Sequence, residues 1–156
     1  MAYKCKVITY YYWSLKKCVK IMLEGENMED REYMNLAMEA SKNSYSPYSS
    51  YKVGACLVTK DGKVYTGCNI ENHGIMSICA ERVCFLKAIS EGIRDFSKIY
   101  FISTKDGNTY LESMPCGYCR EFMSEFVDDD FKICTLKDGT IKEYSFNEIL
   151  PYKFEL

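Results

Sequence analysis

Apolar side chains recur along this chain at two periods, and the places where the period changes mark out the elements. Residues 28–44 carry Tyr33, Leu36, Ala37 and Ala40 at i, i+3, i+4 and i+7, one stripe that predicts a helix with a single buried face. Pro47 cannot continue that helix, and the residue before a proline is pushed toward extended backbone, so Ser44-Tyr45-Ser46-Pro47 ends it. Residues 51–59 turn strand-like, with Val53, Leu57 and Val58. Lys60-Asp61-Gly62-Lys63 is a hairpin turn signal, and 64–69 is the return strand. A polar loop spans 70–78. Helical spacing returns over 79–90, with Val83, Leu86 and Ile89 as expected core positions and Gly92 just past the end. Residues 98–104 hold Ile99-Tyr100-Phe101-Ile102, apolar on both faces, which suits a central strand covered above and below. Pro115 leads into a further helix over 117–126. Residues 131–135 and 140–144 are short strands around Lys137-Asp138-Gly139, and the tail, 147–156, has room for one helical turn. The order α-β-β-α-β-α-β-β predicts a layered α/β domain with a mixed sheet of five strands.

Composition narrows the class. The 156 residues have the length of one domain, and 47% hydrophobic with 27% charged residues is ordinary for a globular chain. No apolar run reaches the roughly 18 residues of a membrane helix, which argues against an integral membrane protein. A net charge of -2 gives no bulk attraction to a polynucleotide. That charge is unevenly spread. Residues 1–27 carry five Lys against two Glu and the run Tyr10-Tyr11-Tyr12-Trp13, whereas 28–156 carry 15 Lys and Arg against 20 Asp and Glu. We expect 1–27 to be an atypical leader, with Met28 the native start, and 28–156 to be the catalytic domain. The alternative is a membrane- or partner-binding arm, with Lys16, Lys17 and Lys20 on one helical face.

Nine cysteines are the unusual count. An odd number cannot all pair within one chain, and no secretory signal opens the sequence, so a reduced, cytoplasmic protein is expected. Cys56, Cys68, Cys84 and Cys134 sit in strand-like or helical stretches and read as small buried apolar residues. Cys5 and Cys18 have no informative neighbours. The other three have a pattern. Cys79 opens one helix and has Glu81 two residues on; Cys116 and Cys119 form a Cys-x-x-Cys at the start of another. A helix N-terminus carries partial positive charge and free N–H groups, and both favour thiolate. Two such ends brought together present three sulfurs to one Zn2+ and leave a fourth place for water, the count of a catalytic site. Glu81, in the first turn, is placed to take that water's proton without binding metal. Three thiolates leave the zinc site with a negative sum, so hydrogen bonds to sulfur from Arg82 and Arg120, each directly after a motif, would draw charge off the metal. The competing readings are a structural zinc with a fourth ligand such as His73, or two ordinary helix starts, but nothing in a structural site calls for Glu81.

Taken together, these stretches resemble the small, homotetrameric, zinc-dependent cytidine deaminase family. The likeness runs from about Met28 to Phe154. It rests on Tyr45-Ser46-Pro47-Tyr48-Ser49, Tyr51-Lys52-Val53-Gly54-Ala55, Asn69-Ile70-Glu71-Asn72, Cys79-Ala80-Glu81-Arg82, the run from Pro115 to Arg120, and Leu150-Pro151 with Phe154. The resemblance implies a three-layer cytidine-deaminase-like fold. It also implies hydrolytic conversion of cytidine and deoxycytidine to uridine and deoxyuridine in pyrimidine salvage. One zinc per subunit on Cys79, Cys116 and Cys119 follows by position, with Glu81 as the proton carrier between water, N3 and the departing ammonia. Asn69 and Glu71 match the family's ribose-binding pair, Tyr51 takes the place of its pocket Phe, and Ala80 completes the substrate-binding set. Phe154 matches a C-terminal Phe that reaches a neighbouring subunit's pocket.

Three positions depart from the family pattern. Six residues, 73–78, separate Asn72 from Cys79 where the family has seven. His73-Gly74-Ile75-Met76 replaces an aromatic, and Glu121 stands where Gln is usual. The first two fall where pocket and subunit contacts are shaped, so substrate identity and tetramer geometry are where this chain is expected to differ. His73, the sole histidine, is either a plain loop residue or a pocket residue in place of the aromatic. The expected partner is a small nucleoside, with no nucleic-acid polymer and no membrane. The other readings are a deaminase of another cytosine nucleoside such as blasticidin S, against which Glu71 speaks, and a zinc-stabilised binding protein without catalysis, against which Glu81 speaks. Editing of polynucleotides would need a basic, aromatic surface that 28–156 does not offer.

Overall fold

Helical and strand periods alternate along the chain, and the computed structural model, which describes residues 28–74 and 76–154, follows them closely. The elements are α1 (Asp30–Ser41), β1 (Lys52–Thr59), β2 (Val64–Cys68), α2 (Ala80–Ser90), β3 (Phe96–Thr104), β4 (Tyr110–Leu111), α3 (Gly117–Ser124), β5 (Lys132–Lys137), β6 (Thr140–Ser145) and α4 (Phe146–Ile149). The expected leader, 1–27, lies outside the described residues.

The strand that is apolar on both faces is central. β3 pairs antiparallel with β1 and parallel with β5, and the path of the sheet is β2-β1-β3-β5-β6. One strand was not expected. β4, two residues long, pairs with the end of β3 through Ser103↔Leu111 and Thr104↔Tyr110, making six strands. It is too short to show any alternation. What forms it is the turn before it, where the Asp106 carboxylate accepts the N–H groups of Asn108 (2.8 Å) and Thr109 (2.7 Å). Both hairpin turns fall where the sequence signals them. Asp138 (φ 50) and Gly139 (φ 73) are both left-handed, the backbone of a two-residue type I′ turn between β5 and β6.

Period-two alternation sends side chains to two cores. Cys56, Val58, Tyr100, Ile102, Cys134 and Leu136 meet Tyr33, Met34 and Ala37 of α1. Ala55, Leu57, Ile99, Phe101 and Ile133 face α2, α3 and α4 on the other side. The layers are therefore helix, sheet, helices, with the two cysteine-bearing helices on one face.

The stripe on α2 is not the expected one. Leu86 is 47% exposed, and Val83 and Ile89 are only half-buried; Ala80, Cys84, Phe85 and Ala88 are the buried positions. Close approach explains the difference. A Cβ on Gly67 of β2 would lie 2.8 Å from Ala80 O and 2.9 Å from Val83 Cβ, so α2 lies almost against the strand. Ala80 O and the Val83 side chain occupy that seam, and α2 turns Ala80, Cys84, Phe85 and Ala88 into the core shared with Ala55 and Leu57 of β1. On α1 the buried set is Tyr33, Met34, Ala37 and Ser41, one position round from the expected stripe, with Leu36 and Ala40 half-buried.

A similar approach fixes α1. A Cβ on Gly54 would sit 2.0 Å from Ala37 O and 2.5 Å from Ser41 N, both backbone atoms that cannot step aside alone. Gly54→Ala is expected to lower stability by about 1–3 kcal/mol, read as a lower urea midpoint at unchanged slope for the metal-loaded protein. An unchanged midpoint would mean that α1 is not seated this closely.

Candidate active site

Each of the two metal motifs begins as a helix cap. Cys79 (φ -75, ψ 154) and Cys116 (φ -63, ψ 162) are N-cap residues in extended backbone, directly before α2 and α3. The Cys116 sulfur accepts the N–H of Cys119 at 3.4 Å, as a capping oxygen would. Because both helices lie on the same face of the sheet, their first turns meet. Cys79 Sγ and Cys116 Sγ are 3.8 Å apart, and all three sulfurs lie within 4.8 Å of one another.

That spacing fits zinc. Sulfurs bound at about 2.3 Å and at tetrahedral angles stand about 3.8 Å apart. Among the described residues no His, Asp, Glu or further Cys joins the cluster as a fourth donor, and His73 lies elsewhere, exposed and edge-on to Tyr48. Three donors with one place left is the composition of a catalytic rather than a structural site. Cys79 is held well below the ordinary thiol range by hydrogen bonding first with Cys119, then with Arg82 and Cys116, against the effect of burial. Cys119 is pushed up by the same pairing with Cys79. Glu81 is 4% exposed, and burial raises its carboxyl to about 7, so it can both hold and give up a proton near neutral pH.

The two arginines part company. Arg82 brings Nη2 to 3.7 Å from Cys79 Sγ and to 3.1 Å from Ser77 O. Arg120 does not reach sulfur. Its Nε donates to Pro115 O (2.8 Å) and its Nη1 to Ile149 O (3.0 Å). A helical side chain leans toward the N-terminus of its helix, and from the start of α3 that direction meets the Pro115 carbonyl first. Arg120 thus ties the loop before Cys116 to α4.

Beside the sulfurs opens a pocket of about 350 Å³, within the range of small-molecule sites. Tyr51, Asn69, Glu71, Cys79, Glu81 and Cys116 all line it. Ala80, the first residue of α2, is fully buried and is not among the lining residues, and Phe154, 71% exposed, is not part of its own chain's pocket.

Asn69 and Glu71 spend most of their hydrogen bonds on the pocket wall. Asn69 Oδ1 accepts from Val53 N (2.8 Å) and Ser44 Oγ (2.6 Å), and Nδ2 donates to Tyr51 O (2.8 Å). Glu71 Oε2 accepts from Tyr48 N (2.8 Å) and Ser49 N (3.2 Å), and Oε1 accepts from Ser49 Oγ. The Ser49 hydroxyl first, and then these two N–H groups, hold the Glu71 carboxylate below its ordinary value. By inventory, one Asn69 N–H and one Glu71 lone pair remain. Both residues line the pocket, and a donor with an acceptor is the complement of a hydroxyl, which both accepts and donates.

Sequence reasoning passed over two residues in this wall. Ser49 bonds Glu71 and also accepts the Tyr51 N–H (2.9 Å); its place inside the Tyr45 to Ser49 motif was the available signal. Ser103, fully buried, is 2.8 Å from the Tyr51 hydroxyl, a pairing across 52 residues of sequence that no local pattern announces.

Comparison with known proteins agrees with the geometry. The family model described as the cytidine and deoxycytidylate deaminase zinc-binding region matches residues 27–135. A cytidine deaminase of Sporosarcina psychrophila is 38% identical over 118 residues, covering 74% of this chain and 84% of its own. A blasticidin-S deaminase of Bacillus cereus is 28% identical, over 82% of this chain and 94% of its own. The crystal structure of a cytidine deaminase from Burkholderia pseudomallei matches with a TM-score of 0.73 at 34% identity, over 81% of this chain and 100% of that one.

The arginine geometry yields a contrast. Arg82→Gln is expected to weaken zinc retention against a chelator and to lower activity. Arg120→Gln is expected to keep zinc but lose about 1–3 kcal/mol of stability, because two carbonyls lose a charged donor. Unchanged zinc retention in Arg82→Gln would remove the charge-tuning role.

Proposed function

This chain belongs to the cytidine and deoxycytidylate deaminase family, and from that premise we propose that it hydrolyses cytidine and deoxycytidine to uridine and deoxyuridine with release of ammonia. The observation that carries the reading is the meeting of three cysteine sulfurs and the buried Glu81 at one pocket. Cys79, Cys116 and Cys119 would hold one zinc ion per subunit, which would supply Lewis acidity for activating a water at neutral pH. Glu81 accepts the proton of the water that adds at C4 and delivers a proton to N3 of the base. It then assists departure of the amino group as ammonia. Burial suits it to that shuttle, since it favours the neutral acid between transfers. Asn69 and Glu71 together hold one sugar hydroxyl, and Tyr51 packs as the aromatic wall.

The charge of the pocket supports a nucleoside over a nucleoside phosphate. Its lining carries Glu71 and Glu81 and, among the described residues, no Lys, Arg or His. A phosphate there would meet repulsion without compensation. A second reading is deamination of another cytosine nucleoside, such as blasticidin S. The 28% identity to the Bacillus cereus enzyme over 94% of its length keeps that reading open, together with the six-residue segment 73–78.

We further propose a homotetramer in the cytoplasm, acting in pyrimidine salvage. Tyr48, Ile70, Met76, Met114 and Phe154 are exposed apolar side chains, four of them within or beside the pocket-lining segments, as a covered interface requires. Seven cysteines in the described residues are free, in keeping with a reducing compartment. No helix among the described residues is long and apolar enough to cross a membrane. Residues 28–156 are proposed as the catalytic domain.

Glu81→Gln should keep one zinc per chain while the ultraviolet change that reports cytidine loss slows about a hundred- to ten-thousandfold; substantial remaining turnover would place the proton carrier elsewhere. Light scattering should give about four times the 18.1 kDa chain mass, and trimming to residues 28–156 should leave activity and assembly intact. An active monomer, or an inactive trimmed protein, would contradict the assembly or the domain limit.

A further inference from the structure

Of the two residues between the cysteines of the second motif, Tyr118 has no part in the chemistry above, yet it touches the group that does. The face of the Tyr118 ring lies 4.4 Å from the Arg82 guanidinium carbon. Arg82 is the residue that brings Nη2 to Cys79 Sγ. We infer that Tyr118 is a positioning residue: its ring face holds the Arg82 guanidinium in the plane from which it donates to the Cys79 sulfur.

Four observations converge on this. Among the described residues no carboxylate forms an ion pair with Arg82, so no salt bridge fixes the guanidinium. Its Nε is buried without a hydrogen-bond partner, so that edge of the fork does not fix it either. The hydrogen bonds of Arg82, from Nη2 to the Ser77 carbonyl and the Cys79 sulfur with Cys119 as a further sulfur partner, act in the guanidinium plane and leave its flat face to be covered by something else. Tyr118, in the first turn of α3, closes over the flat face of a group carried by α2, and it does so while 66% exposed. An aromatic face attracts a planar cation and orders it. An isolated exposed tyrosine would gain nothing from this position. Tyr118 therefore also links the helix that carries Cys79 to the helix that carries Cys116 and Cys119.

The inference rests on the zinc reading of the sulfur cluster, and the test separates the two. Cobalt is loaded in place of zinc into the wild type, Tyr118→Phe and Tyr118→Leu. Phenylalanine keeps the ring face and loses only the hydroxyl; leucine keeps bulk and loses the face. The sulfur-to-cobalt charge-transfer band is recorded, zinc release to a chelator is timed, and kcat and KM for cytidine are measured. A looser Arg82 leaves Cys79 more electron-rich, so in Tyr118→Leu the band should move to longer wavelength. Zinc release should quicken about two- to fivefold, the size of an exposed cation–π contact, and kcat should fall with KM unchanged. Tyr118→Phe should match the wild type in all three. A Tyr118→Leu protein with unaltered band and zinc release overturns the inference, as does a Tyr118→Phe protein as impaired as Tyr118→Leu. A wild type showing no sulfur-to-cobalt band overturns the zinc reading itself.

Discussion

Everything in the site depends on holding three sulfurs within bonding reach of one ion while they sit on two different helices. Thiolates repel one another, and no single helix could supply all three at this spacing. The fold answers by laying α2 and α3 on the same face of one sheet with their first turns converging, so that Cys79 and Cys116 cap adjacent helices 3.8 Å apart. The convergence is enforced by packing. Gly67 lets α2 down onto β2, while Ala80, Cys84 and Ala88 of α2 and Cys119 and Met123 of α3 are fully buried in one core. Helix N-termini then favour negative charge where the cysteines need it.

The pocket wall follows a different economy. Asn69 and Glu71 serve the protein first, clamping the segment from Ser44 to Val53 that presents Tyr51. What they have left over is one donor and one acceptor. In the proposed reading, structure and recognition share the same two side chains, and loss of either should disturb both. This arrangement also explains why a loop of Ser, Tyr and Pro residues can line a pocket with defined shape: its backbone amides are held by buried or ionised partners rather than by a regular element.

Most of the architecture was legible because periodicity and turn chemistry are local. The central strand was evident from four apolar residues in a row, and the second hairpin from Asp138-Gly139. The metal set was legible for the same reason: cysteines placed directly before helical runs, with Glu81 two residues on, carry their geometry in their spacing. What escaped was set by contacts distant in sequence. The buried face of α2 depends on how closely Gly67 lets it approach, which the helix's own sequence does not encode. β4 is created by one aspartate's side chain. Arg120, assigned to sulfur because it follows Cys119, finds the Ile149 carbonyl 29 residues away. The Tyr51 hydroxyl finds Ser103 across the sheet.

The central claim is that two helix starts share one zinc and leave a place beside Glu81 open. X-ray absorption at the zinc edge of the metal-loaded protein tests it most directly. The account predicts three sulfur neighbours at about 2.3 Å and one light atom at about 2.0 Å, the latter responsive to a cytidine analogue. Four sulfurs, or a full set of protein donors that no ligand disturbs, would make the site structural and contradict it.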